Sequence, residues 1–251
     1  MTAPDRHLKM PAFCALDTTD LSQAIGLAAE VADVIGGLKL GLEFFTAQGP
    51  KGVKQIQKAS DLPIFLDLKL NDIPNTVAGA VRAVAPLGAY MLTVHTNGGR
   101  TMMEAAANAA SEAAYEAVKA RPLLVGVTVL TSFDNDDLAE TGVSGTVADH
   151  VRRMAELAKR AGLDGVVCSP QEVAMLRNDL GDGFKLVTAG VRPKWASADD
   201  QKRIMTPLEA VNAGADYLVV GRPITAAQNP AIAAARIAAE LAPVESAADD
   251  A

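Results

Sequence analysis

Eight short apolar runs, each followed by a longer amphipathic stretch, constrain the fold of this 251-residue chain more than any other feature. Short apolar runs are typical of strands that are buried on both faces of a parallel sheet. The runs that we assign as strands are residues 13–16, 38–40, 64–68, 91–94, 123–129, 165–168, 184–188 and 217–220.

The stretches between the runs have helical periodicity and are rich in Ala, Glu, Lys and Arg. Asp20 and the pair Thr206-Pro207 stand at helix starts, where a side-chain cap and a first-turn proline are favoured. Gly88, Gly162 and Gly214 stand where the chain must turn back into a strand. The predicted helices are residues 21–35, 52–59, 76–85, 100–118, 147–161, 170–176, 207–213 and 230–241.

Eight strand-then-helix units predict an α/β protein with a (β/α)8 TIM barrel as a single domain. We expect the barrel to cover residues 13–242, after an N-terminal extension (1–12) and before a loose C-terminal tail (243–251). A doubly wound open sheet is the alternative. It would favour a glycine-rich phosphate fingerprint after the first strand, where this chain has Leu16-Asp17-Thr18 instead.

Composition restricts the class of partner and the compartment. The net charge of −7 argues against nucleic acid and membrane surfaces, which favour basic faces. We see neither a signal-peptide core nor a run of about 18 apolar residues. Cys14 and Cys168 lie in apolar runs without metal-type spacing, which predicts reduced core thiols. Together these features predict a cytoplasmic protein.

Polar residues stand where the predicted strands end, which is the catalytic face of such a barrel. Strand ends are often polar, so one such residue means little. The concentration of titratable groups on the first three strands is more informative. The strand-end residues are Asp17, Lys39, Asp67, Lys69, His95, Thr131, Ser132, Ser169, Arg192, Gly221 and Arg222.

The segment 64–77, IFLDLKLNDIPNTV, is the most informative stretch. Because side chains alternate along a strand, Asp67 and Lys69 should point to one side and the intervening leucines to the other. A buried charge needs a partner, and Lys39 on the neighbouring strand can add to the compensation. The alternative is a buried ion pair that only sets the strand register.

The Asp67-Leu-Lys69-Leu-Asn-Asp72-Ile73 sequence resembles the DxKxxDI signature of the orotidine 5′-phosphate decarboxylase family. The resemblance extends from about residue 13 to residue 240. DxKxxD is shared with sugar-phosphate decarboxylases of the same suprafamily, whereas the later segments favour a pyrimidine nucleotide. The other matching segments are residues 15–17, 38–45, 93–99, 126–132, 164–169, 188–193, 200–207 and 219–225.

The resemblance implies decarboxylation of orotidine 5′-monophosphate to UMP, the last step of de novo pyrimidine nucleotide synthesis. Lys69 would stabilise a carbanion at C6 and deliver a proton to it. Asp67 would lie near the departing carboxylate, and Lys39 and Asp72 would complete an alternating array. In this family the residue matching Asp72 enters the site of a dimer partner, which predicts a homodimer with composite sites.

The resemblance also implies the substrate contacts. The ribose ligands would be Asp17, Lys39 and Thr76. Ser132 and Gln201 would read the pyrimidine beside Thr131, while Ile73 and Leu130 would form an apolar pocket for the leaving CO₂. The phosphate would lie after the last two strands, at Arg192, Gly221 and Arg222.

We expect neither a metal nor a redox cofactor. His95 lacks carboxylates at ligand spacing and is interpreted as a barrel-mouth histidine, and we find no nicotinamide or flavin fingerprint. The long stretch 191–205, which includes Gln201 and the only tryptophan, Trp195, predicts a lid.

Two alternatives remain open. One is a metal-dependent sugar-phosphate decarboxylase, for which Glu43 would be the acidic ligand near Lys39. The other is a non-catalytic barrel that binds nucleotide phosphates. That second alternative would explain Arg192 and Arg222 but not two lysines and two aspartates gathered at the other side of the site.

Overall fold

Eight parallel strands form a closed barrel in the computed structural model, which describes residues 8–196 and 205–242. Each strand pairs with the next along the chain, and the first pairs with the last. The predicted TIM barrel is therefore confirmed and the open sheet is not. The strands are β1 Ala12–Ala15, β2 Gly37–Leu40, β3 Ile64–Leu70, β4 Met91–His95, β5 Leu123–Val127, β6 Gly165–Cys168, β7 Lys185–Ala189 and β8 Tyr217–Val220.

Helices follow the strands and form the outer layer. Most of them match a predicted helix within a few residues. They are α1 Leu21–Val31, α2 Leu42–Ala59, α3 Pro74–Val84, α4 Gly99–Glu116, α5 Asn135–Glu140, α6 Val147–Arg160, α7 Val173–Leu180, α8 Pro207–Asn212, α9 Arg222–Thr225 and α10 Pro230–Leu241.

The predicted start and stop signals act as expected. The Asp20 carboxylate accepts from the first backbone N–H groups of α1, and Thr206 forms a reciprocal capping box with Glu209 at α8. Gly88, Gly162 and Gly214 have φ of 74°, 80° and 109°, a region that glycine enters without steric cost. The chain turns back towards a strand at each of them.

Several predicted boundaries were wrong. The helix expected at 52–59 begins at Leu42, because Gly49 (φ 58°) and Pro50 kink a longer helix instead of starting one. The fifth strand ends at Val127, since the chain leaves the sheet before residue 129. The first strand begins at Ala12, one residue earlier than predicted. Helices α5 and α9 were missed, because such short helices show too few turns for a periodic pattern.

The core has two layers. A large cluster fills the space between strands and helices, and a smaller one fills the barrel interior. In the interior, Phe13 packs edge to face on Phe65, and the hydroxyls of Tyr90 and Tyr217 lie 2.7 Å apart. Tyr90 precedes β4 and Tyr217 begins β8, so these rings close the N-terminal end of the barrel. The C-terminal end is therefore where polar groups can meet a ligand.

Cys14 and Cys168 are buried in the core, as predicted, and neither forms a disulfide within the described residues. Burial, together with the nearby Asp17, raises the pKa of the Cys14 thiol to about 12, so this thiol is a poor nucleophile.

Within residues 8–196 and 205–242, no helix has the length and apolar content that crossing a membrane requires.

Candidate active site

A chain of ion pairs lies at the C-terminal ends of β1, β2 and β3. Lys39 Nζ is 2.8 Å from Asp17 Oδ1 and 3.9 Å from Asp67 Oδ2. Lys69 Nζ is 2.7 Å from the same Asp67 oxygen. We call Asp17, Lys39, Asp67 and Lys69 the ion-pair chain. Its signs alternate along its length, so each lysine is next to at least one carboxylate.

The ion-pair chain is buried at its centre and open at its ends. The side chains of Lys39 and Asp67 are 10% and 14% exposed, whereas those of Lys69 and Asp17 are 30% and 50% exposed. Charges in such a partly enclosed site interact more strongly than they would in bulk water. A ligand in the barrel mouth can therefore reach the outer groups while the inner ones hold them in place.

Two glycines make room for Lys39: Gly37, which begins β2, and Gly41, which directly follows it. A Cβ on Gly37 would lie 2.5 Å from the Phe13 ring, and a Cβ on Gly41 would lie 2.8 Å from Lys39 Nζ. Gly37 therefore admits the interior aromatic cluster below Lys39, and Gly41 leaves space for the ammonium above it. Each glycine is two residues from Lys39 and Gly41 is still extended, so alternation along this segment brings all three positions to the inner face.

Strand β3 bulges where it presents its charges. Leu66 pairs with Leu92 and Leu70 with Val94, so the three residues from Asp67 to Lys69 lie opposite one residue of β4, Thr93. Lys69 has φ of 49°, an uncommon conformation for a residue with a side chain. Leu66 and Leu68 pack in the outer layer, while Asp67 and Lys69 meet on the other side as predicted.

Thr93 connects the two charged residues of the bulge and was not singled out from the sequence. It is fully buried. Its Oγ1 accepts the Lys69 backbone N–H at 2.8 Å and donates to Asp67 Oδ1 at 3.1 Å. A threonine within a strand suggests only β propensity. The sequence feature that could have identified Thr93 is its position two residues before His95, because residues two apart on a strand share a face, here the inner face of the barrel.

Asp72, Ile73 and Thr76 lie between β3 and the first turn of α3. Asp72 forms no ion pair with the ion-pair chain as far as the described residues show. Its Oδ1 accepts the Ile73 backbone N–H at 2.6 Å instead. Ile73 is 67% exposed, and Thr76 is also exposed. The array expected from Lys39, Asp67, Lys69 and Asp72 is therefore only partly assembled within one chain, with Asp17 as a further member.

The predicted phosphate residues follow β7 and β8. Gly221 and the exposed Arg222 come directly after β8, which pairs with β1 and so lies beside the strand that leads to Asp17. Arg192 is buried, and its backbone N–H donates to the Met205 carbonyl at 2.9 Å. This bond ties the two sides of the predicted lid together. Gln201 lies outside the described residues.

The remaining mouth residues follow β4 and β5. Thr131 and Ser132 lie in the loop before α5, where Ser132 is exposed and Leu130 is 38% exposed. The Asn97 backbone N–H donates to His95 Nδ1 at 3.4 Å. Burial, and then the positive charge of Lys69, lower the pKa of His95, which favours a neutral ring in the mouth.

Trp195 lies near the start of the predicted lid. The Arg236 guanidinium of α10 stacks over its ring, with Cζ 4.2 Å from the ring centroid, in a cation–π contact. Trp195 is 37% exposed, so one side of the indole faces solvent. This contact attaches the first part of the segment to the outer helical layer.

Glu43, the acidic ligand of the metal-dependent alternative, is exposed in the first turn of α2. In the part of the chain that the structure describes, no group of three His, Cys, Asp or Glu residues is arranged to hold a metal ion.

Known proteins are similar to this chain over most of its length. Residues 10–237 match the model of the family described as "Orotidine 5′-phosphate decarboxylase / HUMPS family". A protein from Rhodospirillum rubrum named orotidine 5′-phosphate decarboxylase is 58% identical over 231 residues, which cover 92% of this chain and 94% of that protein. One of the same name from Paramagnetospirillum magneticum is 50% identical, covering 92% of this chain and 98% of the relative.

Solved structures show the same similarity. The crystal structure of orotidine 5′-phosphate decarboxylase from Lactobacillus acidophilus superposes with a TM-score of 0.81 at 36% identity, covering 93% of this chain and 99% of that one. The enzyme of the same name from Pyrococcus horikoshii gives a TM-score of 0.72 at 27% identity, with 92% and 98% covered. The similarity therefore spans the whole barrel.

Proposed function

Because this chain belongs to the orotidine 5′-phosphate decarboxylase / HUMPS family, we propose that it is a carboxy-lyase that converts orotidine 5′-monophosphate to UMP. The observation that carries the proposal is the Lys39–Asp67–Lys69 part of the ion-pair chain, positioned at the barrel mouth. This reaction would complete de novo pyrimidine nucleotide synthesis.

The central chemical problem is the electron pair left at C6 when CO₂ departs. That carbon has no conventional electron sink, so the protein must stabilise the negative charge electrostatically and then protonate the carbon. The Lys69 ammonium combines a positive charge with a transferable proton. It is partly exposed towards the mouth, and Asp67 holds it at 2.7 Å. We therefore assign Lys69 as the proton donor.

Asp67 is assigned two roles. It orients the Lys69 ammonium, and it would face the carboxylate of the bound substrate, where repulsion between like charges is relieved as CO₂ leaves. Lys39 balances Asp67 from the other side at 3.9 Å. We rank stabilisation of the carbanion above the ground-state effect, because the ammonium acts on charge that develops during the reaction.

The substrate contacts follow the order of the strands around the mouth. Asp17 and Lys39, 2.8 Å apart, would bind the ribose hydroxyls together with Thr76. Ser132 and Gln201 would read the pyrimidine beside Thr131. Ile73 would contribute an apolar wall for the leaving CO₂.

The phosphate is proposed to bind at the ends of β7 and β8. Arg192 and Arg222 would supply guanidinium groups, and Gly221 would allow the backbone to approach the phosphate closely. These residues follow neighbouring strands of the barrel. A phosphate held there would direct the ring towards β3, where the ion-pair chain lies.

The active unit is proposed to be a homodimer in which Asp72 enters the partner's site. Two features support this assignment: Asp72 is exposed beside the mouth, and its neighbour Ile73 presents a large apolar side chain that is 67% exposed. In each composite site the partner's Asp72 would extend the alternation of charge beyond Lys69.

We propose that the chemistry needs neither a metal nor a redox cofactor, since the lysine supplies both positive charge and proton. The experiment is to follow the loss of orotidine 5′-monophosphate absorbance with purified protein, with and without EDTA. Turnover that survives the chelator supports the proposal. Turnover that collapses with EDTA would favour the metal-dependent alternative, and binding of UMP without turnover would favour a non-catalytic nucleotide-binding barrel.

A further inference from the structure

We propose that Thr93 is a positioning residue for the Asp67–Lys69 pair; this inference rests on the proposed decarboxylation. Thr93 would act through Asp67 and Lys69 and would not touch the substrate. It is the residue of β4 that lies opposite the β3 bulge, and it is fully buried. Its hydroxyl contacts the backbone of one charged residue and the carboxylate of the other.

The direction of both hydrogen bonds follows from their chemistry. The Lys69 backbone N–H can only donate, so Thr93 Oγ1 accepts it at 2.8 Å. Asp67 is the ion-pair partner of Lys69 and accepts, so the single hydroxyl proton of Thr93 goes to Asp67 Oδ1 at 3.1 Å. The only proton of the Thr93 hydroxyl is therefore committed to Asp67, and the two hydrogen bonds run in one direction, from the Lys69 N–H through Thr93 Oγ1 to the Asp67 carboxylate.

The first consequence concerns the backbone of Lys69. A φ of 49° costs free energy for a residue with a side chain, and such conformations persist only when their surroundings hold them. The bulge interrupts the strand ladder, so the Lys69 N–H needs another acceptor, and the Thr93 hydroxyl supplies it. The bond therefore favours the backbone conformation that projects the lysine into the mouth.

The second consequence concerns the Asp67 carboxylate. Its Oδ1 is held by Thr93, which leaves Oδ2 for Lys69 at 2.7 Å and Lys39 at 3.9 Å. One hydroxyl thus determines which oxygen faces the two ammonium groups. Loss of it would let the carboxylate rotate, and displacement of a catalytic group by about 1 Å can cost about 100-fold in rate.

The test compares Thr93→Val, which keeps the shape and removes the hydroxyl, with Thr93→Ser, which keeps the hydroxyl. Thr188→Val is the matched control, because Thr188 is equally buried but its hydroxyl donates to the Cys168 carbonyl, away from the ion-pair chain. We expect Thr93→Val to lower kcat about 10- to 100-fold with KM changed by less than about 3-fold. Thr93→Ser should recover most of kcat, and Thr188→Val should retain it.

Thermal unfolding of all variants separates folding from positioning. If Thr93→Val does not fold, Thr93→Ala removes the same hydroxyl without a second methyl group, and the same kinetic comparison with Thr93→Ser applies. The positioning role would be overturned if the folded variant without the hydroxyl (Thr93→Val or Thr93→Ala) kept the kcat of the wild type. It would also be overturned if that variant and Thr93→Ser lost kcat equally. An inactive wild-type protein would overturn the proposed function as well, so the two failures are distinguishable.

Discussion

The Lys69 ammonium lies 2.7 Å from Asp67 Oδ2, although Lys69 has a backbone φ of 49° within a bulged strand. The two residues therefore meet at a place where the regular sheet is interrupted. Bulges and strained backbone conformations are over-represented next to active sites, where they aim a side chain.

Lys69→Ala should abolish turnover of orotidine 5′-monophosphate while UMP still binds. Loss of both a general acid and a charge aimed at the carbanion should lower kcat by at least about 10⁴-fold. The rate is measured by absorbance and UMP binding by calorimetry. A variant that keeps most of its turnover would remove Lys69 from the role of proton donor.

Gly41→Ala should impair catalysis more than stability. The new Cβ would lie 2.8 Å from Lys39 Nζ and 3.2 Å from Asp17 Oδ1, so the flexible ammonium must move. We expect kcat/KM to fall by about 10- to 100-fold with nearly unchanged thermal unfolding. Gly26→Ala is the control, because its Cβ would meet no atom within 4 Å and it lies in α1. Equal activity in both variants would contradict the prediction.

Arg222→Ala should mainly weaken phosphate binding. Arg222 is exposed, and a charged hydrogen bond to the phosphate contributes about 1.5–3 kcal/mol, or roughly 10- to 150-fold in Kd. UMP affinity should fall accordingly, whereas uridine, which lacks the phosphate, should bind equally to wild type and variant. Arg160→Ala, on the exposed face of α6, provides the control. An unchanged Kd for UMP would place the phosphate elsewhere.

Trp195 should report closure of the lid. Its indole is partly exposed and stacks with Arg236, and a closing loop would change both its solvent exposure and its contact with the cation. Because Trp195 is the only tryptophan, its emission can be followed without interference. We expect saturating UMP to shift the emission maximum. Identical spectra with and without ligand would count against a lid around this residue.

The stability of the protein should fall on mild acidification in part because of His95. Its pKa is lowered from an ordinary value of 6.5 by burial and by Lys69, so the unfolded chain binds a proton before the folded one does. The free energy of unfolding should therefore be unaffected by His95 above about pH 6.5 and decrease as the pH falls towards the lower folded-state pKa.

His95→Gln should make the free energy of unfolding depend less steeply on pH, as measured by urea unfolding between about pH 5 and 7.5. His150 also has a lowered pKa, caused by burial and by Arg153. His150→Gln is therefore expected to remove a separate contribution to the pH dependence of the free energy of unfolding. If the wild type and His95→Gln lose stability in parallel, His95 does not contribute to the pH dependence.

Local sequence patterns were sufficient for much of the architecture. Alternating apolar runs predicted the closed barrel, since each strand and helix carries its own periodicity. Asp20 and Thr206 predicted helix starts because a capping side chain acts on the N–H groups that follow it. Local patterns were misleading at Gly49-Pro50, because a glycine followed by a proline is typical of a helix start, whereas here the pair forms a kink inside α2.

The charged part of the site was also accessible from the sequence, because residues two apart on a strand point to the same side, which predicted that Asp67 and Lys69 would meet. Other relationships depended on which strands become neighbours. They are the contact of Lys39 with Asp17, the bulge at Lys69 and the hydrogen bonds of Thr93. These features join residues that are distant in sequence, and they arise from the pairing of neighbouring strands and from the register shift between β3 and β4. Periodicity specifies the face on which a side chain lies, whereas strand register determines what it touches.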